Sequence, residues 1–265
     1  MDRKIRFSLD KASLPATREA CYGILDGDTV YQTDSLFSTG RGAARRLADV
    51  RLLPPCWPSK IVCVGRNYTE HARELGNPVP AEPIIFLKPP SSLIASGDAI
   101  VYPSITDLVS YEGELGVVIG KRARHVKAEQ AHEYIFGYTC VNDVTARDLQ
   151  KKDGQWTRGK GFDTFCPVGP CVVPQSQVNI GQLRVKTFLD GEKKQDASVL
   201  DLIFPVPVIV EFVTQFMTLE PGDLIATGTP PGVGPMLPGS TVRVEIEGVG
   251  ALENPVVRAQ PPLRG

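Results

Sequence analysis

Glu112 and Glu114 stand two residues apart in "SYEGELGVVIG", residues 110–120, inside a run that is otherwise apolar and strand-like. Side chains alternate across a strand. The two carboxylates therefore share one face with Gly116 and Val118, while Tyr111, Gly113, Leu115, Val117 and Ile119 share the other, which reads as core. The even face has two readings. It is an exposed strand end, where charged residues usually sit, or it holds a cation, because two adjacent carboxylates repel and a hard divalent metal offsets them. In the second reading Gly113 and Gly116 leave space for the cation and for a ligand that chelates it.

Asp143 closes "YIFGYTCVND" just before the helical pattern "VTARDLQ". It either caps that helix or points out of the sheet as a ligand. If the strand at 135–143 pairs near 111–119, Asp143 joins Glu112 and Glu114. An all-oxygen set of that kind suits Mg²⁺, Mn²⁺ or Ca²⁺, whereas Zn²⁺ prefers histidine or cysteine. Mg²⁺ keeps positions open to water or substrate oxygens, so such a site is catalytic rather than structural.

His71 and Glu74 lie three apart on "NYTEHAREL", on one helix face. They are a surface pair, or a dyad in which Glu74 orients the imidazole and raises its basicity. The other two histidines, His125 and His132, fall in a hydrophilic stretch that reads as exposed. Lys160 stands between Gly159 and Gly161 in "WTRGKGFDTF". It is a solvated loop lysine, or it holds an anionic substrate group or an enolate oxygen. "ATGTPPGVGP", residues 226–235, is a stiff loop with Thr227 and Thr229 as hydroxyl donors. It lacks the Gly-Lys-Ser/Thr ending of a phosphate-binding loop, so nucleotide binding is not indicated.

The elements that must position these groups are mostly short strands. A helix is expected at "NYTEHAREL", with Asn67 able to cap and Glu70 in the capping-box position. Others are expected at "TARDLQKK" and, longest, at "PVPVIVEFVTQFMTLEPG". With 23 prolines and 25 glycines between the strands, a β-rich body closed on itself is favoured over a doubly wound parallel sheet. "YGILDGDTVYQT" carries a hairpin signal at Gly27. The prolines of "LLPPCWPSK" mark a stiff linker, which divides a small N-terminal β domain, residues 1–55, from a larger body, residues 56–265.

The 265 residues suffice for one large domain with a small appendage, and 42% apolar and 22% charged content is ordinary for a globular protein. With 29 basic and 30 acidic residues the net charge is −1, which gives no broad pull toward nucleic acid or anionic membrane. The six cysteines form no CxxC pair and read as reduced, mostly buried thiols. No signal-peptide pattern and no run of about eighteen apolar residues is found, so a cytoplasmic location is expected.

The ordered set "CVGRNYTEHARELG", "PIIFLKPPSSL", "YEGELGVVIGK", "GYTCVNDVTARDLQ", "WTRGKGFDTFCPVGP" and "GDLIATGTPPGVGP" strongly resembles the fumarylacetoacetate hydrolase family, over roughly residues 60–257. The resemblance implies a mostly β (α+β) fold, a rolled mixed β-sheet around a metal, in a homodimer. It implies that Glu112, Glu114 and Asp143 ligate Mg²⁺ or Mn²⁺, and that His71 and Glu74 are an acid-base dyad on a mobile lid. Lys160 and Gln150 match positions that contact the substrate or its developing oxyanion, and Thr229 matches a threonine near the substrate carboxylate. Arg66 and Lys88 lie in the motifs without an assigned role. The implied substrate is a small 2-oxo or 2,4-dioxo acid, processed through an enolate. Because the dyad can serve a water, hydrolytic carbon-carbon cleavage of an acylpyruvate comes first. Isomerisation or tautomerisation of a 2-hydroxy-dienoate or oxaloacetate comes next, and oxaloacetate decarboxylation third.

Overall fold

The computed structural model describes residues 1–12, 20–74, 76 and 78–260. Strands dominate them, in three sheets, of which the two larger mix parallel and antiparallel pairs. The largest sheet runs from the N-terminal strands through Arg3–Ser8, Cys166–Pro174, Ile135–Asn142, Gly113–Ile119, Leu224–Ala226 and Ile61–Gly65 to Ile84–Lys88. Most neighbours in it are antiparallel, but Leu224–Ala226 lies parallel to Ile61–Gly65. A second sheet contains Arg184–Leu189, Glu192–Ser198, Thr241–Ile246 and Gly250–Arg258, edged by Ile100–Tyr102. The mostly β fold implied by the resemblance is therefore present.

Four α-helices are described: α1 (Thr69–Glu74), α2 (Arg147–Asp153), α3 (Thr157–Lys160) and α4 (Val206–Phe216). The longest is α4, entered through Pro205, whose fixed φ suits a helix start. Its Val206, Ile209, Val210 and Val213 recur at helical spacing and share one apolar cluster with Leu115, Val117 and Ile119 of the central strand. That packing makes the strand carrying Glu114 a rigid base.

The single strand expected over 110–120 is broken at Glu112. Val109–Tyr111 pairs with Thr145–Ala146 and Gly234–Pro235, whereas Gly113–Ile119 pairs with Ile135–Asn142 and Leu224–Ala226. The chain changes sheets at Glu112, whose N–H is taken by the Asn142 side chain at 2.9 Å. Both faces of Gly113–Ile119 are buried, so the odd face alone does not make the core. The space expected beside Gly113 and Gly116 is filled by protein. A Cβ on Gly113 would lie 2.0 Å from Thr187 Oγ1, and one on Gly116 would lie 2.6 Å from Val141 Cγ2. These glycines admit neighbouring strands rather than a ligand.

Near the N-terminus, Cys21–Asp26 and Thr29–Thr33 form the expected hairpin, with Gly27 at φ 58° in its turn. Arg3–Ser8 joins this hairpin to the main sheet, Lys4 pairing with Val172. All six cysteines are free thiols, five of them buried. Among the described residues no helix is long and apolar enough to cross a membrane.

Candidate active site

Adjacent antiparallel strands deliver the carboxylates. Gly113 pairs with Asn142 and Glu114 with Val141, so the break at Glu112 falls beside the strand end at Asp143. One carboxylate oxygen from each of Glu112, Glu114 and Asp143 lies within 4.8 Å of the others, and all three residues are buried. Asp143 does not cap the following helix, which starts at Arg147 with Ala146 at its N-cap position.

Three cations answer two of the three carboxylates. Lys160 Nζ donates to Glu112 Oε2 and to Asp143 Oδ2, both at 2.6 Å. Lys88 Nζ donates to Asp143 Oδ1 at 2.6 Å and to the Val144 carbonyl at 3.1 Å. The Arg147 guanidinium lies 2.5 Å from Glu112 Oε1. Burial alone would raise the Glu112 carboxyl, but Arg147 and Lys160 outweigh it and hold the group well below the usual carboxylate range. Burial would likewise lower the Lys160 ammonium, and Asp143 and Glu112 reverse that and raise it. Lys160 is thus a buried ion-pair partner at the end of α3, not a solvated loop lysine.

Glu114 forms no ion pair among the described residues. Its Oε2 accepts the Gly228 N–H at 2.8 Å. Burial, followed by repulsion from Asp143 and Glu112, pushes its carboxyl well above the usual range. A buried carboxylate left uncompensated beside two others is the chemistry a hard divalent cation answers, so the donor set fits Mg²⁺ or Mn²⁺.

On α1, His71 is almost fully buried and its Nδ1 lies 3.3 Å from Glu74 Oε2. A carboxylate only accepts, so Nδ1 carries the proton and Nε2 keeps its lone pair. Glu74 is anchored in turn, accepting the Gly232 N–H at 3.1 and 3.2 Å, and the Gly232 carbonyl accepts the Tyr111 hydroxyl at 2.9 Å. Burial lowers the His71 imidazole below its ordinary value, against the pull of Glu112 and Glu74. The cap expected from Asn67 is not made. Its amide instead donates to the Phe204 and Thr227 carbonyls and accepts the Phe204 N–H, tying the start of α1 to two distant loops.

Thr227 and Thr229 both spend their hydroxyl protons on the central strand, donating to the Leu115 and Gly113 carbonyls at 3.0 and 2.9 Å. Gln195, buried in the second sheet, donates to Thr229 Oγ1 at 2.8 Å and accepts the Gly113 N–H at 3.1 Å. Thr229 therefore braces the loop against the strand. Gln150, on α2, accepts from Arg147 through Oε1 at 3.2 Å, and among the described residues none accepts from its NH₂.

A cavity of about 420 Å³ brings these groups together. Its lining includes His71, Glu112, Glu114, Asp143, Gln150, Lys160 and Thr229; Glu74 stands behind His71. Of the residues singled out in the sequence, His125 and His132 are exposed and take no part. Arg147, Trp156 and Phe86 also line the cavity and were not identified from the sequence. For Arg147 a signal existed, since it lies four residues beyond Asp143 at the expected start of a helix.

Residues 60–257 match the family described as fumarylacetoacetate (FAA) hydrolase C-terminal. The chain is 42% identical over 223 residues to oxaloacetate tautomerase YisK of Bacillus subtilis, covering 79% of this chain and 74% of that protein. The crystal structure of 2-hydroxyhepta-2,4-diene-1,7-dioate isomerase from Mycobacterium marinum superposes with a TM-score of 0.86 at 43% identity, over 98% of this chain and 100% of that one. Maleylpyruvate hydrolase from Sphingobium sp. SYK-6, in complex with manganese (II) ion and pyruvate, superposes with a TM-score of 0.80 at 30% identity, over 97% of this chain and 100% of that one. With the family match spanning residues 60–257 and relatives above 40% identity covering most of both chains, the chain belongs to the fumarylacetoacetate hydrolase family.

Proposed function

We propose that this protein is a divalent-metal-dependent enzyme that moves a proton on a 2-oxo acid through its enolate, as a tautomerase or isomerase. The observation that carries the reading is one cavity lined by a carboxylate triad and by His71, whose ring is oriented by Glu74. Glu112, Glu114 and Asp143 would hold Mg²⁺ or Mn²⁺, which when bound supplies Lewis-acid charge to the carboxylate and 2-oxo oxygens of the substrate. Lys160 adds a second positive charge on the same side and favours the enolate oxygen over the neutral ketone. Nε2 of His71 takes or returns the proton at C3, while Glu74 keeps Nδ1 protonated and the ring fixed. The Gln150 amide offers a donor to a substrate oxygen. Thr229, its hydroxyl proton committed to Gly113, positions the loop that holds both Glu74 and Glu114.

Proton transfer stands ahead of hydrolysis because it needs no further group, and because the named activities of the relatives above 40% identity are a tautomerase and an isomerase. Hydrolytic carbon-carbon cleavage is the second reading. The likeness to maleylpyruvate hydrolase favours it, and the same His71 could deprotonate a water. Product analysis separates them. With enol oxaloacetate or acetylpyruvate and Mg²⁺, an isomer of unchanged mass is expected. Pyruvate plus a second acid would establish hydrolysis, and released CO₂ would establish decarboxylation.

A further inference from the structure

Glu74 is the last residue of α1 and is exposed. A carboxylate at such a position has several rotamers open to it, and orienting His71 requires that one of them be held. Among the described residues, the groups that hold it are His71 itself and the Gly232 N–H, which reaches both of its oxygens. The direction of that N–H therefore decides where Glu74 stands.

Gly232 has two soft torsions and no side chain to fix them. Its φ of 97° is a left-handed value, and a Cβ would lie 2.1 Å from the Lys194 carbonyl oxygen, so the position demands glycine. Before it, the loop is tied down by Gln195, which donates to Thr229 Oγ1 and to the Pro230 carbonyl. Beyond it, Gly234 pairs with Tyr111 of the strand Val109–Tyr111. Between these two anchors, the side chain that reaches the Gly232 carbonyl is again Tyr111, whose hydroxyl donates to it at 2.9 Å.

Tyr111 is buried and does not line the cavity. Whatever it contributes to the chemistry must pass through the groups it holds. It also directly precedes Glu112 in the chain, so the strand end that delivers a carboxylate of the triad also grips the loop on which Glu74 rests.

We propose that Tyr111 is a positioning residue for proton transfer: through Gly232 its hydroxyl holds Glu74 against Nδ1 of His71, and so keeps Nε2 aimed at the substrate carbon. This rests on the proton-transfer reading above. The metal-binding carboxylates and the base are thereby kept in register by one short strand.

The test compares the wild type, Tyr111→Phe, Glu74→Ala and the double variant. Tyr111→Phe removes one hydroxyl and keeps the ring in the core, and the half-buried Gly232 can turn its carbonyl to water, so the fold is retained. With Mg²⁺ and oxaloacetate, Tyr111→Phe should lower kcat about 3- to 10-fold and change KM less than about 2-fold, as expected for one hydrogen bond acting through another group. In the Glu74→Ala background the same substitution should change kcat less than about 2-fold, because the group through which it acts is gone. Calorimetric affinity for Mn²⁺ should be the same in the wild type and Tyr111→Phe, which separates action through Glu74 from displacement of Glu112. Imidazole ¹⁵N spectra in Mg²⁺ at pH 8 give a readout that needs no turnover. The chain has three histidines, and His71→Asn assigns the relevant one. The wild type should show His71 protonated at Nδ1, Tyr111→Phe should lose part of that tautomer to Nε2, and Glu74→Ala should lose most of it. An equal loss of kcat in both backgrounds, a fall in Mn²⁺ affinity that accompanies the loss, or an unchanged tautomer in Tyr111→Phe overturns the proposal. Absence of turnover in the wild type overturns the proton-transfer reading, while the tautomer populations still decide whether Tyr111 positions the dyad.

Discussion

The backbone N–H of Asp143 donates to the carbonyl oxygen of Glu112 at 2.8 Å. This bond crosses between neighbouring strands where the chain of Glu112 changes sheets. The main chain therefore sets the two carboxylate-bearing residues side by side, and Lys160 bridges their side chains. Lys88, Lys160 and Arg147 offset the charge on Glu112 and Asp143. Glu114 forms no ion pair with a described residue, and burial pushes its carboxyl up, so opposite consequences follow for the members of the triad.

Glu114→Gln should stabilise the metal-free protein. The folded-state pKa of Glu114 is raised, so its carboxyl favours folding below the unfolded value of about 4.3 and loses that contribution as pH rises through the folded value. In EDTA near pH 8 the variant should melt several degrees above the wild type, on the order of 1–3 kcal/mol, and the gap should close toward pH 4. Mn²⁺ should raise the melting temperature of the wild type and leave the variant unchanged.

Asp143→Asn has the opposite sign. It removes the charge that two buried ammonium groups share, and breaking such a network costs about 3–5 kcal/mol. Thermal unfolding in EDTA should show a clear loss where Glu114→Gln shows a gain.

The imidazole of His71 is lowered by burial, so it is neutral at pH 7 and competent as a base. The acid limb of kcat/KM should therefore lie below pH 6.5. Glu74 pulls the imidazole upward, so Glu74→Gln should move the limb to still lower pH. His71→Asn should cost about 100-fold or more in rate. A limb unmoved in Glu74→Gln would remove the dyad from the mechanism.

The triad was legible because it needs little tertiary information: an E-x-E on one strand, an aspartate ending another, and a pairing between them. The break at Glu112 was not legible, since the strands that claim Tyr111 and Gly113 come from distant segments. Asn67 had every local feature of a cap, yet the Phe204 N–H, from a distant segment, takes the side-chain oxygen that a cap would offer to the helix. Gly113 and Gly116 looked like room for a ligand, but sequence cannot say which neighbour approaches a glycine; here Thr187 and Val141 do. Lys160 resembled a loop lysine because its partners lie 17 and 48 residues away. Trp156 and Phe86 carry no motif chemistry, and only packing reveals that they wall the cavity.

Burial also sets thiol reactivity. The Cys56, Cys166 and Cys171 thiols are pushed up to about 12, and Cys63 and Cys140 are raised as well, in each case chiefly by burial. Cys21 is half-buried. A chromogenic disulfide reagent at pH 8 should titrate one thiol in the native protein and all six after denaturation.

The most direct test follows the enol absorbance of oxaloacetate as it decays to the keto form, with Mg²⁺, with EDTA, and with Glu114→Gln in Mg²⁺. Enzyme-dependent decay should require the metal, disappear in EDTA and return when Mg²⁺ is restored, while Glu114→Gln stays folded and inactive under all conditions. Decay that persists undiminished in EDTA, or in Glu114→Gln, would contradict proton transfer at the Glu112, Glu114 and Asp143 centre.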